Sequence, residues 1–386
     1  MAAESATAEP YPRFSDEEMQ RRRAALDAVA ERHEVDHVLL RGAERAGSAI
    51  AWLTRWPVTR EALVVHTAGE RDRLLVAFYN HVPNATRMAT EADVAYAGAR
   101  PIDAALQELE RRGARGRRLG VIGPLGHRDH DALGRVVGDV ISLDADYTQL
   151  RQVKSAEELD WLREGVAFTD RGLQALLRHA RPGVDEAQLG DLVERAYVAA
   201  GGTTHIHYFA ATAMDAPGMS APAQWPSSRR LAADDVLTCE LSAAFWGYAG
   251  QVLRTIVVGA DPSPLIAELH DVAQAAFDAL FAALRPGVTA AELLAASSVI
   301  EDAGFTIRDD LVHGFVGGYL PPVLGSASRE LEPVPDFTYR EGMTVVLQPN
   351  VVTPDERAGV QTGELVLVGP RGAQRLHSAP GGLLRI

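Results

Sequence analysis

The stretch CELSAAFWGYAGQVLRT, Cys239 to Thr255, sets an acid, Glu240, eleven residues ahead of an amide, Gln251. Two strand-like runs meet between them at Phe245-Trp246-Gly247-Tyr248. Two carboxylates at these positions would share a cation or a proton. An acid beside a neutral amide suits hydrogen bonding to an amide, ureido or carboxylate group instead. Strand alternation puts Glu240 on the same face as Thr238 and Ser242. There it could orient an imidazole, hold a substrate cation, act as a base if burial raises its pKa, or form a structural salt bridge. His313, followed by Gly314 in LVHGFVGGYLPP (311–322), is the leading acid/base candidate, because imidazole titrates near neutral pH without a metal. The bland alternative is a histidine bonded to backbone. Gln348, in EGMTVVLQPN (341–350), offers the same donor and acceptor as Gln251, either toward a substrate or toward the other glutamine. THIHYFAAT (204–212) spaces His205 and His207 two apart, hence on one strand face, as reserve acid/base groups or as ordinary core or rim histidines. Tyr248 and Tyr319 could be pocket walls or phenolic donors, or packing alone. Gly363 could leave room for substrate.

Other chemistries lack their residues. The chain has no G-x-S-x-G elbow, no phosphate loop and no H-E-x-x-H zinc helix, and Gly317-Gly318 is too short a signal for phosphate binding. With 52 acids against 38 bases the net charge is -14, which disfavours nucleic acid as a partner. One cysteine, Cys239, forms no internal disulfide and excludes a cysteine-rich zinc site. MAAESATAEPYPRF is polar, with no apolar segment of signal-peptide type, and no run approaches membrane-spanning length. The expectation is a soluble cytoplasmic protein with a small-molecule substrate and no nucleic-acid or membrane partner.

The elements that must position these side chains fall into two groups. After a loose tail (1–14), Ser15-x-x-Glu18 reads as a capping box opening a helix to about Arg32, with the RRR at 21–23 on its solvated face. HVLLRG (37–42), ALVVHTA (62–68), RLLVAFYN (73–80) and LGVIG (119–123) read as strands around helical DAALQELERRG (103–113). This gives a small α/β domain over 15–148. Ser155-x-x-Glu158 then caps a long helix opening a second domain, 149–386. Within it Arg181-Pro182-Gly183-Val184 recurs as Arg285-Pro286-Gly287-Val288, each between two apolar helices, the second of which ends at glycine. The repeat predicts a duplicated, pseudo-symmetric α/β (α+β) domain with a sheet from 234–259 and 340–369 lining a central site.

Five blocks in order carry a family resemblance: LRQVKSAEELDWLREGVAFTDRGLQAL (150–176), DDVLTCELSAAFWGYAGQVLRTIVVG (234–259), LVHGFVGGYLPP, EGMTVVLQPN and GVQTGELVLV (359–368). Over nearly its whole length the chain resembles the pita-bread family of creatinase, prolidase, aminopeptidase P and methionine aminopeptidase. The resemblance implies a creatinase-like N-terminal domain followed by a pita-bread domain, and a homodimer. The peptidases of that family hold two divalent metals through two Asp, one His and two Glu. Those positions fall here on Glu240, Gln251, His313, Gln348 and Gly363. A further family histidine falls at Met219, in PGMSAP, and Arg254 of the Arg-Thr pair supports the sheet.

Five positions that retain one carboxylate cannot balance two dications, whose repulsion is large even at an effective dielectric near ~20. One metal on Glu240 and His313 alone would have fewer protein ligands than the usual three. Creatinase is the family's precedent for C–N hydrolysis without metal, although the acid of its Glu-Pro block is Gln348 here. The reading is therefore a metal-independent, creatinase-like C–N hydrolase without cofactor. His313 is its acid/base, Glu240 positions it or activates water, and Gln251 and Gln348 orient the substrate. Its rivals are a non-catalytic ligand-binding protein, a remodelled Xaa-Pro metallopeptidase and a lyase on the same fold.

Overall fold

The computed structural model describes residues 11–44 and 49–386. The chain divides into two units, one ending at Arg151 and the other running from Gln152 to Ile386. Of the stretch read as a tail, residues 1–10 lie outside the described residues. Phe14 is buried.

In the first unit, apolar strands with buried centres form a six-stranded sheet. Its order is Ala92–Tyr96, Asp72–Val76, Glu61–Thr67, His37–Ala43, Arg118–Ile122, Asp139–Ser142. Glu61–Thr67 runs antiparallel to both neighbours, and the remaining pairs are parallel. Leu39, Val65, Leu75 and Val121 pack with Ile102, Ala105 and Leu109 of the helix Pro101–Arg111.

The helix Asp16–Arg32 begins where Ser15 accepts from the Glu18 backbone N–H. The Glu18 carboxylate is taken by Arg21 and Arg22. The arginine run is not a solvated face. Arg22 is fully buried, 4.0 Å from the Phe14 ring centroid and 5.1 Å from that of Trp52, and donates to the Trp52 carbonyl. Arg23 pairs with buried Asp72 at 3.0 Å. Helical spacing places these arginines on different sides of the helix, and a guanidinium fits among aromatic rings because it stacks on them while donating in plane.

Asp72 also receives His66. The buried imidazole bonds Asp72 through Nδ1 at 2.6 Å and Asp27 through Nε2 at 2.8 Å. Burial works against its charge, but the two carboxylates outweigh burial and push its pKa up to about 9. The imidazolium therefore stabilises the folded state fully below the unfolded pKa near ~6.5, and this contribution fades as pH rises through about 9. His66→Leu is expected to cost on the order of 3 kcal/mol at pH 6. Its deficit against wild type in urea unfolding is expected to shrink steadily between pH 7 and pH 10.

The second unit is built on a sheet of ten strands. Its main path runs Tyr319–Leu324, Val312–Phe315, Thr344–Leu347, Gly363–Gly369, Val252–Val257, Asp235–Phe245, Thr203–Ala213. Neighbours along the path are antiparallel. Ala156–His179, a helix opened by the Ser155/Glu158 capping box, covers one half, and Pro264–Ala283 covers the other.

The sequence repeat is a structural repeat. Gly183 and Gly287 have φ of 94° and 90°, the left-handed conformation that glycine adopts without cost. The Gly183 N–H donates to Leu231 O and the Gly287 N–H to Tyr339 O. The return bonds also correspond, Leu231 N–H to Val184 O and Tyr339 N–H to Val288 O. Asp185 and Thr289 then each form a capping box. The helices that follow are shorter than the apolar pattern suggests, Glu186–Glu194 and Ala290–Ala295.

Candidate functional site

Strand register assembles the site. Residues opposite one another across antiparallel strands point to the same side of the sheet. Tyr208 pairs with Glu240, Glu240 with Leu253, and Leu253 with Gly363, so these four share one side. Gln251 lies two residues before Leu253 on that side. Further along, His313 pairs with Val346 and Val346 with Leu365, two residues beyond Gly363. The turn bearing Gln251 is fixed from outside. A Cβ on Gly165 of the long helix would lie 2.1 Å from Tyr248 O, so helix and turn touch backbone to backbone.

Two hydrogen-bonded groups result. In the first, Gln251 Nε2 donates to Glu240 Oε1 at 2.6 Å, with both side chains buried. Burial, and then the nearby charge of Asp309, push the Glu240 pKa up to about 8, although the Gln251 bond pulls it back. In the second, Gln348 Nε2 donates to Asp310 Oδ1 at 3.0 Å and to Asp310 O at 3.2 Å. The Tyr319 hydroxyl donates to the same Oδ1 at 3.0 Å. Burial and Asp309 raise the Asp310 pKa to about 8 as well. The Tyr319 ring lies flat on His313, centroids 3.9 Å apart and planes 18° from parallel.

His313 Nδ1 donates to Gly314 O at 3.0 Å, which leaves the lone pair of the neutral ring on Nε2. Burial depresses the His313 pKa to about 4, although the Gly314 carbonyl and the neighbouring Gln348 side chain pull it up. Gln251 Oε1, Gln348 Oε1, Asp310 Oδ2, His313 Nε2 and Ser242 Oγ are buried without a hydrogen-bond partner. The two groups feel each other, since the Glu240 charge raises the pKa of both Asp310 and Tyr319.

The other sequence candidates separate. His205 packs edge-on to Phe315, 5.8 Å between centroids, and Phe315 to His313 at 5.6 Å, so exposed His205 stands near the site. His207 does not. A bulge between Thr204 and Ile206 breaks the alternation, so His205 and His207 do not share a face. Tyr197 OH meets both Thr204 Oγ1 at 2.8 Å and His207 Nε2 at 2.7 Å. Tyr248 is also elsewhere, donating to Glu158 at 2.9 Å beside Trp161. Gly363 leaves no spare room, because a Cβ there would lie 2.3 Å from Leu347 O. Met219 is exposed.

Arg254 is buried in the sheet, donating to Gly363 O at 2.5 Å and to Glu364 at 2.7 Å, and Arg375 takes the other Glu364 oxygen at 2.8 Å. Gly317 holds the following hairpin against the Gly247 turn. Asp309, Asp310 and Tyr208 were missed by the sequence reading. The signal available for Asp310 was its place three residues before His313.

The sequence profile of metallopeptidase family M24 matches residues 160–370, more than half of the chain. The chain belongs to metallopeptidase family M24. It is 29% identical over 260 residues to the probable dipeptidase PepE of Mycobacterium tuberculosis, covering 66% of this chain and 65% of that one. It is 25% identical over 239 residues to an Xaa-Pro dipeptidase of Pyrococcus furiosus, covering 61% of this chain and 66% of that one. These matches thus span just under two thirds of the relatives' length. Among solved structures, the dipeptidase PepE from Mycobacterium ulcerans superposes with a TM-score of 0.80 at 23% identity, covering 97% of this chain and 100% of that one. An Xaa-Pro dipeptidase from Bacillus anthracis gives 0.80 at 20%, covering 95% and 100%. Both show the M24 pita-bread fold over nearly the whole chain.

The family name implies bound metal, and the residues here do not fit a metal pair. Of the five positions, two present amides whose N–H groups are turned to acids, and one has no side chain and no space for one. Glu364, beside Gly363, is committed to two arginines. Among the described residues no three His, Cys, Asp or Glu side chains are grouped as a metal site. The raised Glu240 pKa has a stability consequence. An acid that binds its proton more tightly when folded loses stability as pH rises from its unfolded pKa near ~4.5 through about 8. Glu240→Gln keeps an acceptor for Gln251 and is expected to stabilise by at least about 1 kcal/mol at pH 8 and by little at pH 4.5, read from denaturant melts.

Proposed function

We propose that this chain is a hydrolase of a C–N bond in a small dipeptide-like or N-acylated amino-acid substrate, working without the metal pair of its family. The relatives' names, dipeptidase and Xaa-Pro dipeptidase, support the substrate class. The observation that carries metal independence is the donor set, a buried imidazole with a bare Nε2 among two high-pKa carboxyls and two amides. A neutral imidazole can accept a proton from water, a protonated carboxyl can deliver one to a leaving nitrogen, and the glutamines can orient the amide. In this scheme His313 is the base and Glu240 the acid. The family likeness also leads us to expect a homodimer, which light scattering checks.

The decisive assay offers purified full-length protein a panel of Xaa-Pro and other dipeptides, N-acyl amino acids and ureido acids, with excess chelator or with added Mn, Co or Zn. Turnover unaffected by chelator is expected. Turnover that appears only with added metal would return the chain to the metallopeptidases and end this reading. The base must be neutral and the acid protonated, so kcat/KM is expected to be bell-shaped, with limbs near 4 and 8. A second reading, ligand binding without turnover, is favoured by the Glu240–Gln251 bond that already satisfies part of the site. Saturable binding with no product across the panel would establish it.

A further inference from the structure

Asp310 stands outside the five family positions, yet it is buried at the centre of the second hydrogen-bonded group. One of its oxygens is fully engaged, since Oδ1 accepts from both the Tyr319 hydroxyl and Gln348 Nε2. The other, Oδ2, is buried without a partner and lies 4.0 Å from His313 Nε2, which is buried without a partner too. That distance is too long for a direct hydrogen bond. It suits one small atom bonded to both, because two hydrogen bonds of about 2.8 Å meeting at an open angle span roughly 4–4.6 Å. The geometry of both partners is fixed. The Gly314 bond sets the tautomer of His313, the Tyr319 stack sets its ring plane, and the bonds to Oδ1 set the carboxyl of Asp310. Leaving two buried polar atoms facing each other costs stability, which a purely structural arrangement would avoid by closing the gap.

We propose that Asp310 is a catalytic residue of this chain, holding the attacking water between its Oδ2 and Nε2 of His313. The proposal rests on the hydrolase reading above. The water oxygen bonds to the carbonyl carbon of the scissile C–N bond as the carbonyl π pair moves onto oxygen, and the water proton passes to Nε2. The C–N bond then breaks with its electron pair on nitrogen. The oxygen pair re-forms the carbonyl, and that nitrogen takes up the proton of Glu240. The proton held on Nε2 then restores Glu240, so one water and one C–N bond give one acid and one amine. Asp310 Oδ2 keeps the second hydrogen bond to the water oxygen and so fixes its line of attack.

Asp310→Ala tests this beside Asp310→Asn, whose amide N–H stands where the protonated Oδ2 donates and so keeps the water's second bond. The kcat of Asp310→Ala is expected to fall at least ~100-fold with KM close to wild type, while Asp310→Asn stays within about tenfold below pH 8. Tyr319→Phe, which loosens Oδ1 but leaves the water's two partners, is expected to lose no more than about tenfold. A structural Asp310 would give the opposite split, a shifted melting temperature with kcat retained. A crystal structure of the substrate-free protein should show an ordered water bonded to both atoms. A direct Asp310–His313 bond, or an ion with anomalous signal in the gap, would overturn the proposal. These crystals decide the water seat even if no member of the substrate panel turns over, an outcome that removes the hydrolase reading and the catalytic role with it.

Discussion

Two carboxyl groups, Glu240 and Asp310, are buried close enough to feel each other's charge, with neutral glutamines rather than cations as their bonded neighbours. Every feature of the site follows from that constraint. A buried carboxylate without a counter-ion is costly, so each acid holds its proton to about pH 8, and His313 sheds its own down to about 4. The result is a site whose protonation near neutral pH is set by burial. Burial thus sets two groups that hold their protons beside one that sheds its own.

The architecture around this site is the M24 pita-bread fold. The duplicated helix–RPGV–helix unit, with the same backbone bonds at Gly183 and Gly287, builds two halves whose strands meet in one sheet. Arg254 and Arg375 hold Glu364 inside that sheet. The scaffold can therefore stay intact while the chemistry it carries changes, because the bonds that hold strands in register are backbone bonds and do not involve the site side chains.

Much of the scaffold was legible in the sequence, since strand runs, capping boxes and a repeated tetrapeptide are local signals. The Glu240–Gln251 bond was not read there, since Gln251 was expected to turn to substrate or to Gln348, although a hairpin brings residues eleven apart together. Asp310 was not read there either. Its hydrogen bonds depend on Gln348 and Tyr319 arriving from two other segments, which its place three residues before His313 does not announce. His207 was misplaced because a single bulge reverses the side to which every later residue points. The arginines at 21–23 were misplaced because charge alone does not reveal that Phe14 and Trp52 flank Arg22.

Gly363 ties the site to the backbone beside it. Its neighbouring strand fills the volume a side chain would need, and the acid next to it is locked between two guanidiniums. A side chain at 363 would meet the Leu347 backbone before it reached any neighbour, so a carboxylate there requires the adjoining strand to shift.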